Sequence, residues 1–349
     1  MPEQRRISII SPCRNERDYI AGFVASLLAQ ERPESCQLEV LIADGISDDG
    51  TREILDALAA RHPTLTVVSN PGRIVSKALN AAIRAAAGDV IVRMDAHTTY
   101  ARDYVRACVE TLERTGADNV GGPWRAAGEG YLQQAIALVS HSPFASGGGR
   151  SHALDYEGEV DTVYLGCWRK EVFERVGLFD EELVRNQDDE LNLRIVRSGG
   201  RVWQSPAIRS SYAPRSSLAN LFSQYKQYGY WKVRVIQKHT LPASLRHVVP
   251  GAFVFGLLAL AALSLAWSPA RALLALVLAA YAAANLVASV HTCVAAGTFR
   301  YLPVIPIVFA AYHVGYGYGF LRGVVDFLVL RRGSGAAFTA ITRGSSRGA

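Results

Sequence analysis

Cysteine is scarce and unpatterned in this chain. The five thiols, Cys13, Cys36, Cys108, Cys167 and Cys293, are odd in number, widely spaced and never paired as C-x-x-C. That argues against a disulfide framework and a zinc site, and fits a reducing compartment. No G-x-G-x-x-G opens a helix and no G-x-x-x-x-G-K-[ST] occurs, which argues against dinucleotide oxidoreductases and P-loop NTPases. Although the net charge is +6, the basic residues form no compact run, so no nucleic-acid partner is expected. Charge itself becomes rare late in the chain: nearly all acids lie in residues 1–245, and 251–330 hold very few charges of either sign.

What is present divides along that line. The 349 residues allow one large or two ordinary domains. Half are hydrophobic while 19% are charged, and mean hydropathy is +0.11. A soluble part followed by a membrane part explains the asymmetry. Basic residues gather between Arg215 and Arg246, where a juxtamembrane belt would meet anionic headgroups. Leu218, Leu221, Phe222, Tyr225, Tyr228 and Trp231 alternate there with Lys226, Lys232, Arg234 and Lys238. This predicts an amphipathic interfacial helix within 215–247, with a substrate-channel helix as the competing reading. Residues 251–267 and 272–299 are uncharged and long enough to span a bilayer. Residues 301–330 start apolar but contain Pro303, Pro306, His313, Arg322 and Asp326, and read as one long, partly broken helix that could line the site. Three spans would put the polar tail 333–349 outside, whereas Arg331, Arg332, Arg343 and Arg347 favour inside, so two to four spans stay open within 248–332. Ile7–Ile10 is too short for a signal-peptide core, so residues 1–214 are expected on the cytoplasmic face of the cell membrane.

Within 1–214 the hydropathy alternates in type. Ile7–Ile10, Leu38–Ala43, Leu65–Val68 and Val90–Val92 read as strands. Helical spacing marks Tyr19–Gln30, Glu53–Arg61 and Ala78–Ala87 between them. Strand–helix alternation with short connections predicts a parallel sheet covered on both faces, with ligands bound beyond the strands' carboxyl ends. The second half, about 121–214, is less regular, and Ser146–Ser151 reads as a flexible loop, either a lid or a crossover.

Polar clusters follow the apolar strands. The strand Val90-Ile91-Val92-Arg93 runs into Met94-Asp95-Ala96-His97. If the chain stays extended, Asp95 and His97 share a face, and a carboxylate beside an imidazole can hold a divalent cation that in turn holds a diphosphate. A strand-end Asp beside a surface His is the plain alternative. Asp188, Asp189 and Glu190 open an amphipathic helix, where acids also complement the helix dipole.

Taken together, these clusters resemble family 2 glycosyltransferases. Ser11-Pro12-Cys13-Arg14-Asn15-Glu16, Asp44-Gly45-Ile46-Ser47-Asp48-Asp49-Gly50-Thr51, Asp95-Ala96-His97 and Asp188 before Leu191-x-x-Arg194 occur in that family's order over roughly residues 6–240. The chain is most similar to the ExoA-type glucosyltransferases of succinoglycan biosynthesis. The resemblance implies a GT-A fold, α/β with a mostly parallel sheet, its nucleotide-sugar half at about 6–120 and its acceptor half at about 121–214. It implies that Pro12, Arg14, Asn15, Glu16, Asp44, Arg73, Lys77 and Asp95 bind the nucleotide sugar. Asp95 and His97 would hold Mg²⁺ or Mn²⁺, and Asp188 would be the catalytic base. Gly166, Trp168, Asp189, Glu190, Gln227 and Trp231 would lie on the acceptor side.

Three departures bear on these roles. His97 stands for the second Asp of D-x-D, which favours Mn²⁺ over Mg²⁺. Gln187 stands for the Glu of a Glu-Asp pair and removes a neighbour that would raise the base's pKa. Gln227-Tyr228-Gly229-Tyr230-Trp231 carries Tyr where Q-x-x-R-W has Arg, which weakens the case for a processive synthase. The expected reaction is inverting transfer from a UDP-hexose, UDP-glucose by resemblance, to a lipid-linked saccharide at the membrane. Transfer to polyprenyl phosphate, met by Arg150, Arg209 or Arg215, is the nearer alternative. A non-catalytic membrane scaffold retaining the fold is the more distant one.

Overall fold

The structure, a computed structural model, describes residues 5–242, 244–333 and 337–339. The chain separates into two compact units, 1–125 with 153–212 and 126–152 with 213–349. The expected break near 214 thus coincides with one boundary, but 126–152 leaves the acceptor half and joins the C-terminal helices. Arg343 and Arg347 lie outside the described residues.

The first unit begins with the expected alternation. β1 (Arg6–Cys13), α1 (Ile20–Leu28), β2 (Gln37–Asp44), α2 (Thr51–Ala59), β3 (Leu65–Ser69), α3 (Val75–Ala85) and β4 (Val90–Arg93) follow one another. Shorter pieces come next: β5 (Thr98–Tyr100), α4 (Tyr104–Thr115) and β6 (Asn119–Gly122). α5 (Tyr131–Ser140) and α6 (Pro143–Ser146) belong to the second unit. The chain then returns through β7 (Gly158–Glu159), β8 (Tyr164–Arg169), α7 (Glu171–Val176), α8 (Gln187–Arg197), β9 (Val202–Gln204) and β10 (Ser210–Tyr212).

Eight strands form one sheet in the order β3-β2-β1-β4-β8-β6-β9-β7, and β10 pairs with β5 apart from it. β1 is parallel to β2 and β4, and β2 to β3, but β8 runs antiparallel to both β4 and β6. The sheet is therefore mixed rather than wholly parallel, because an apolar run reads the same in either direction. Its two faces carry separate cores. Val90 and Val92 join Ile7, Ile9 and the buried faces of α1 and α4, while Ile91 turns the other way to Ile10, Leu79, Leu191 and Ile195. This strict alternation is what burial on both faces demands.

In the second unit, α9 (Leu218–His239), α10 (Val249–Leu263), α11 (Ser268–Ala295) and α12 (Ile305–Gly323) follow α6, and α12 runs on into a π-helical turn at Val324–Val329. α9, the helix read as amphipathic, pairs closely with α12. A Cβ added at Gly319 would lie 1.9 Å from the Lys226 carbonyl oxygen, and one at Gly229 2.0 Å from that of Tyr316. Only glycine lets the two backbones approach so closely. Ala135, Ile136 and Val139 of α5 pack against Tyr301, Ile305, Val308, Phe309 and Tyr312. Phe144 of α6 sits against the rings of Tyr281, Phe309 and His313, and its carbonyl is 2.8 Å from His313 Nε2. The 146–151 stretch is thereby anchored at its start, and it ends in a 3₁₀ turn at Arg150–His152. Among the described residues two segments, Leu245–Leu263 and Ser268–Ala295, are long and apolar enough to cross a membrane. They leave Phe255, Leu258, Leu276, Leu286 and Val287 exposed.

Candidate active site

Parallel register places the site. Cys13 is level with Asp44, and Ile10 with Arg93, so the segments leaving β1, β2 and β4 emerge along one edge. At that edge several residues adopt the left-handed conformation that L-residues enter rarely: Asn15 (φ 56°), Ile46 (φ 57°) and Arg73 (φ 59°), with Asn186 (φ 61°) just before α8. Strain of this kind is characteristic of binding loops that their surroundings hold in place.

The surroundings are hydrogen bonds between the first two loops. Asn15 donates its backbone N–H to Ser47 Oγ at 2.9 Å and its amide to Asp48 Oδ1 at 2.9 Å, and accepts from the Asp48 N–H at 3.0 Å. The Glu16 N–H donates to Thr51 Oγ1 at 2.8 Å. Asp44, 2% exposed, accepts from Ser47 Oγ at 2.6 Å. Pro12 is the last residue but one of β1, and the Arg14 side chain lies against Gly45, where a Cβ would sit 3.2 Å from it. Arg73 is exposed and Lys77 lies across Gly72; neither forms an ion pair among the described residues.

β4 ends at Arg93, and Asp95 accepts from the Thr98 N–H at 3.2 Å in a turn. The extended continuation expected to align Asp95 with His97 is absent. The two residues instead have separate partners. Asp95 takes both arms of the Arg93 guanidinium, Nε to Oδ1 at 2.9 Å and Nη2 to Oδ2 at 2.8 Å. His97 Nε2 lies 2.7 Å from Glu16 Oε1, with Tyr19 edge-on to its ring. Tyr100 holds the Asp95 backbone, its hydroxyl 2.5 Å from the N–H and 3.1 Å from the carbonyl.

Asp188 reaches the same guanidinium, accepting from Arg93 Nη1. α3 fixes its approach: Asn80 bonds the Phe179 backbone in both directions and Ser76 Oγ donates to the Leu183 carbonyl at 3.1 Å. Burial pushes the Asp188 carboxyl up to about 6; Arg93 opposes this, while Asp95 and Asp189 add to it. Gln187 removes one neighbour that would raise this pKa, and burial with two other carboxylates raises it all the same. Arg93 was not among the expected site residues. It is 4% exposed, and although burial works against its charge, Asp188 and Asp95 hold it firmly protonated.

The acceptor-side expectations need correction. Trp168 is 1% exposed and packs against Phe173 and Phe179 in the core. Gly166 (φ +133°) makes room for that ring, since a Cβ there would lie 2.4 Å from it. Glu190 is buried and forms a two-point ion pair with Arg194, whose guanidinium also donates to the carbonyls of Val176, Gly177 and Leu178. These three residues build the scaffold. Asp189 is half-buried next to Asp188. Gln227 and Trp231 belong to the other unit, both buried in α9, with Trp231 Nε1 donating to the Phe338 carbonyl.

Asp95 and His97 supply two donors of the kinds that bind Mg²⁺ or Mn²⁺. No group of three or more His, Cys, Asp or Glu suited to a metal occurs among the described residues. A cation held through this pair would draw its remaining ligands from phosphate oxygens and water.

Residues 8–177 match glycosyl transferase family 2. The succinoglycan biosynthesis protein ExoA of Rhizobium meliloti (strain 1021) is 35% identical over 69% of this chain and 73% of its own length. A Methanococcus voltae enzyme, dolichyl N-acetyl-alpha-D-glucosaminyl phosphate 3-beta-D-2,3-diacetamido-2,3-dideoxy-beta-D-glucuronosyltransferase, is 27% identical over 91% of this chain and 97% of its own. Among solved structures, the mannosyltransferase PcManGT from Pyrobaculum calidifontis, in complex with GDP-Man and Mn²⁺, superposes with a TM-score of 0.59 at 22% identity, covering 90% of this chain and 88% of that one. The fold is thus of the GT-A type, and the chain belongs to glycosyl transferase family 2.

Proposed function

We propose that the protein is an inverting, metal-dependent hexosyltransferase that moves a sugar from a UDP-sugar to a lipid-linked saccharide at the cytoplasmic face of the cell membrane, in exopolysaccharide or cell-surface glycan assembly. One observation carries this reading: the donor-side carboxylate Asp95 and the base Asp188 meet on a single guanidinium at the sheet edge where ligands bind.

Asp188 accepts the proton of an acceptor hydroxyl as that oxygen attacks the anomeric carbon. Attack opposite the departing nucleoside diphosphate inverts the centre and needs no covalent intermediate. Arg73 and Lys77, cations without an ion-pair partner among the described residues, would meet the diphosphate. Asn15, Glu16 and Asp44 would face the nucleoside. Mg²⁺ or Mn²⁺, held through Asp95 and His97, would supply neutralisation of charge on the leaving diphosphate.

The three arginines that could receive a polyprenyl phosphate all have partners already. Arg209 pairs with Asp103 at 3.3 Å, and Arg215, 8% exposed, donates to Gln224 at 3.1 Å. That favours a sugar acceptor, as does the Methanococcus voltae relative, named for transfer onto a dolichyl-linked sugar phosphate. The two apolar helices would tether the chain to the membrane, so that it is multi-pass.

The test is transfer from radiolabelled sugar nucleotides with Mn²⁺ or Mg²⁺, offered a primed lipid-linked sugar or bare polyprenyl phosphate. Asp188→Asn should lower transfer by about 10²–10⁴-fold and leave donor binding in calorimetry nearly unchanged. Loss of donor binding would show that Asp188 is not the base.

A further inference from the structure

Each of the two metal donors is already matched to an opposite partner. Both oxygens of Asp95 face Arg93, and His97 faces Glu16. Arg93 is also the counter-ion of Asp188, and its side chain is 5% exposed, so its charge cannot be replaced by solvent. A divalent cation arriving alone would meet a guanidinium occupying the in-plane edge of its carboxylate. To reach Asp95 it would have to displace or share with that guanidinium, and it would have to take most of its remaining ligands from water. A nucleoside diphosphate changes that by supplying phosphate oxygens as further ligands.

We infer that Arg93 is a resident counter-cation that keeps the metal site closed until a nucleoside diphosphate arrives, so that cation and nucleotide enter together. Arg93 is a positioning residue in this scheme. It orients Asp95 through two hydrogen bonds and holds Asp188 on the same side. The inference rests on the metal-dependent reading above and goes beyond it in assigning when the metal binds and what prevents earlier binding.

Electron paramagnetic resonance of Mn²⁺ with the full-length protein in detergent tests it without any turnover. The wild type should leave the free-Mn²⁺ signal unchanged when Mn²⁺ is added alone, and quench it once uridine diphosphate is present. Arg93→Gln, which uncovers both carboxylates, should bind Mn²⁺ without nucleotide at least about tenfold more tightly than the wild type does. Arg93→Lys retains the charge and should stay silent without nucleotide. Wild-type binding of Mn²⁺ alone, as tight as with uridine diphosphate, would overturn the inference without recourse to any variant. So would an Arg93→Gln protein with wild-type melting behaviour that gains no binding. Failure of the wild type to bind Mn²⁺ even with uridine diphosphate would instead remove the metal-dependent reading beneath it.

Discussion

A carboxylate serves as a base only while it is ionised. Because burial, Asp95 and Asp189 hold Asp188 near 6 against the pull of Arg93, kcat/KM should be flat above about 6. Below that it should fall about tenfold per pH unit, since only the deprotonated fraction accepts a proton. A profile flat to pH 4.5 would assign the proton transfer elsewhere. Asp188, before Leu191-x-x-Arg194, was singled out by the family resemblance, and in the fold it shares Arg93 with Asp95. Arg93 was not singled out. An arginine ending an apolar strand looks like a strand's exposed tip, and its second partner is 95 residues away. The same limit hid the pairing of Glu16 with His97: proximity of loops after β1 and β4 follows from strand order, which hydropathy does not encode.

At the scale of elements, β8 and the α9–α12 pair carry the clearest consequences. Trp168 fills the space left by Gly166, so Trp168→Ala should cost about 3–5 kcal/mol of stability, read from denaturant unfolding. A folded Trp168→Ala protein should keep its acceptor KM; a raised KM with unchanged stability would return Trp168 to the acceptor side. Along α12, Gly319→Ala would drive a methyl into the Lys226 carbonyl. Overpacking of that kind costs roughly 1–3 kcal/mol and should lower the melting temperature in detergent. The strands β1 to β4 were legible because each is a run of branched apolar residues. β5, β7, β9 and β10 were not, since two or three residues cannot display a period. The direction of β8 was equally hidden, because pairing sense is decided by how the chain returns and not by which residues are buried.

At the scale of the whole molecule, apolar surface is the governing quantity. Leu278 and Leu286 of α11 are 47% and 55% exposed, a placement that water would penalise and lipid would not. Lysine at a helix centre costs about 2.5–3.5 kcal/mol per residue for insertion. Leu278→Lys with Leu286→Lys should therefore release the protein from membranes on alkaline extraction, whereas the wild type stays. Equal retention of both would show that α11 is not inserted. The contrast between a charged part and an apolar part was legible from charge alone. That 126–152 belongs with the apolar helices was not, because its partners lie far downstream and its own helix is short.

That last arrangement also sets a timetable for synthesis. Tyr131 of α5 bonds the carbonyl of Arg300, and Phe144 bonds His313, each pair 169 residues apart. At about 5–20 residues per second, α5 and α6 emerge from the ribosome roughly ten to thirty seconds before α12 exists to cover them. Through that interval Ile136 and Val139 lack the α12 side of their native cluster. The nascent chain must wait half-built, and any chaperone or insertase that assists it has its longest opportunity there.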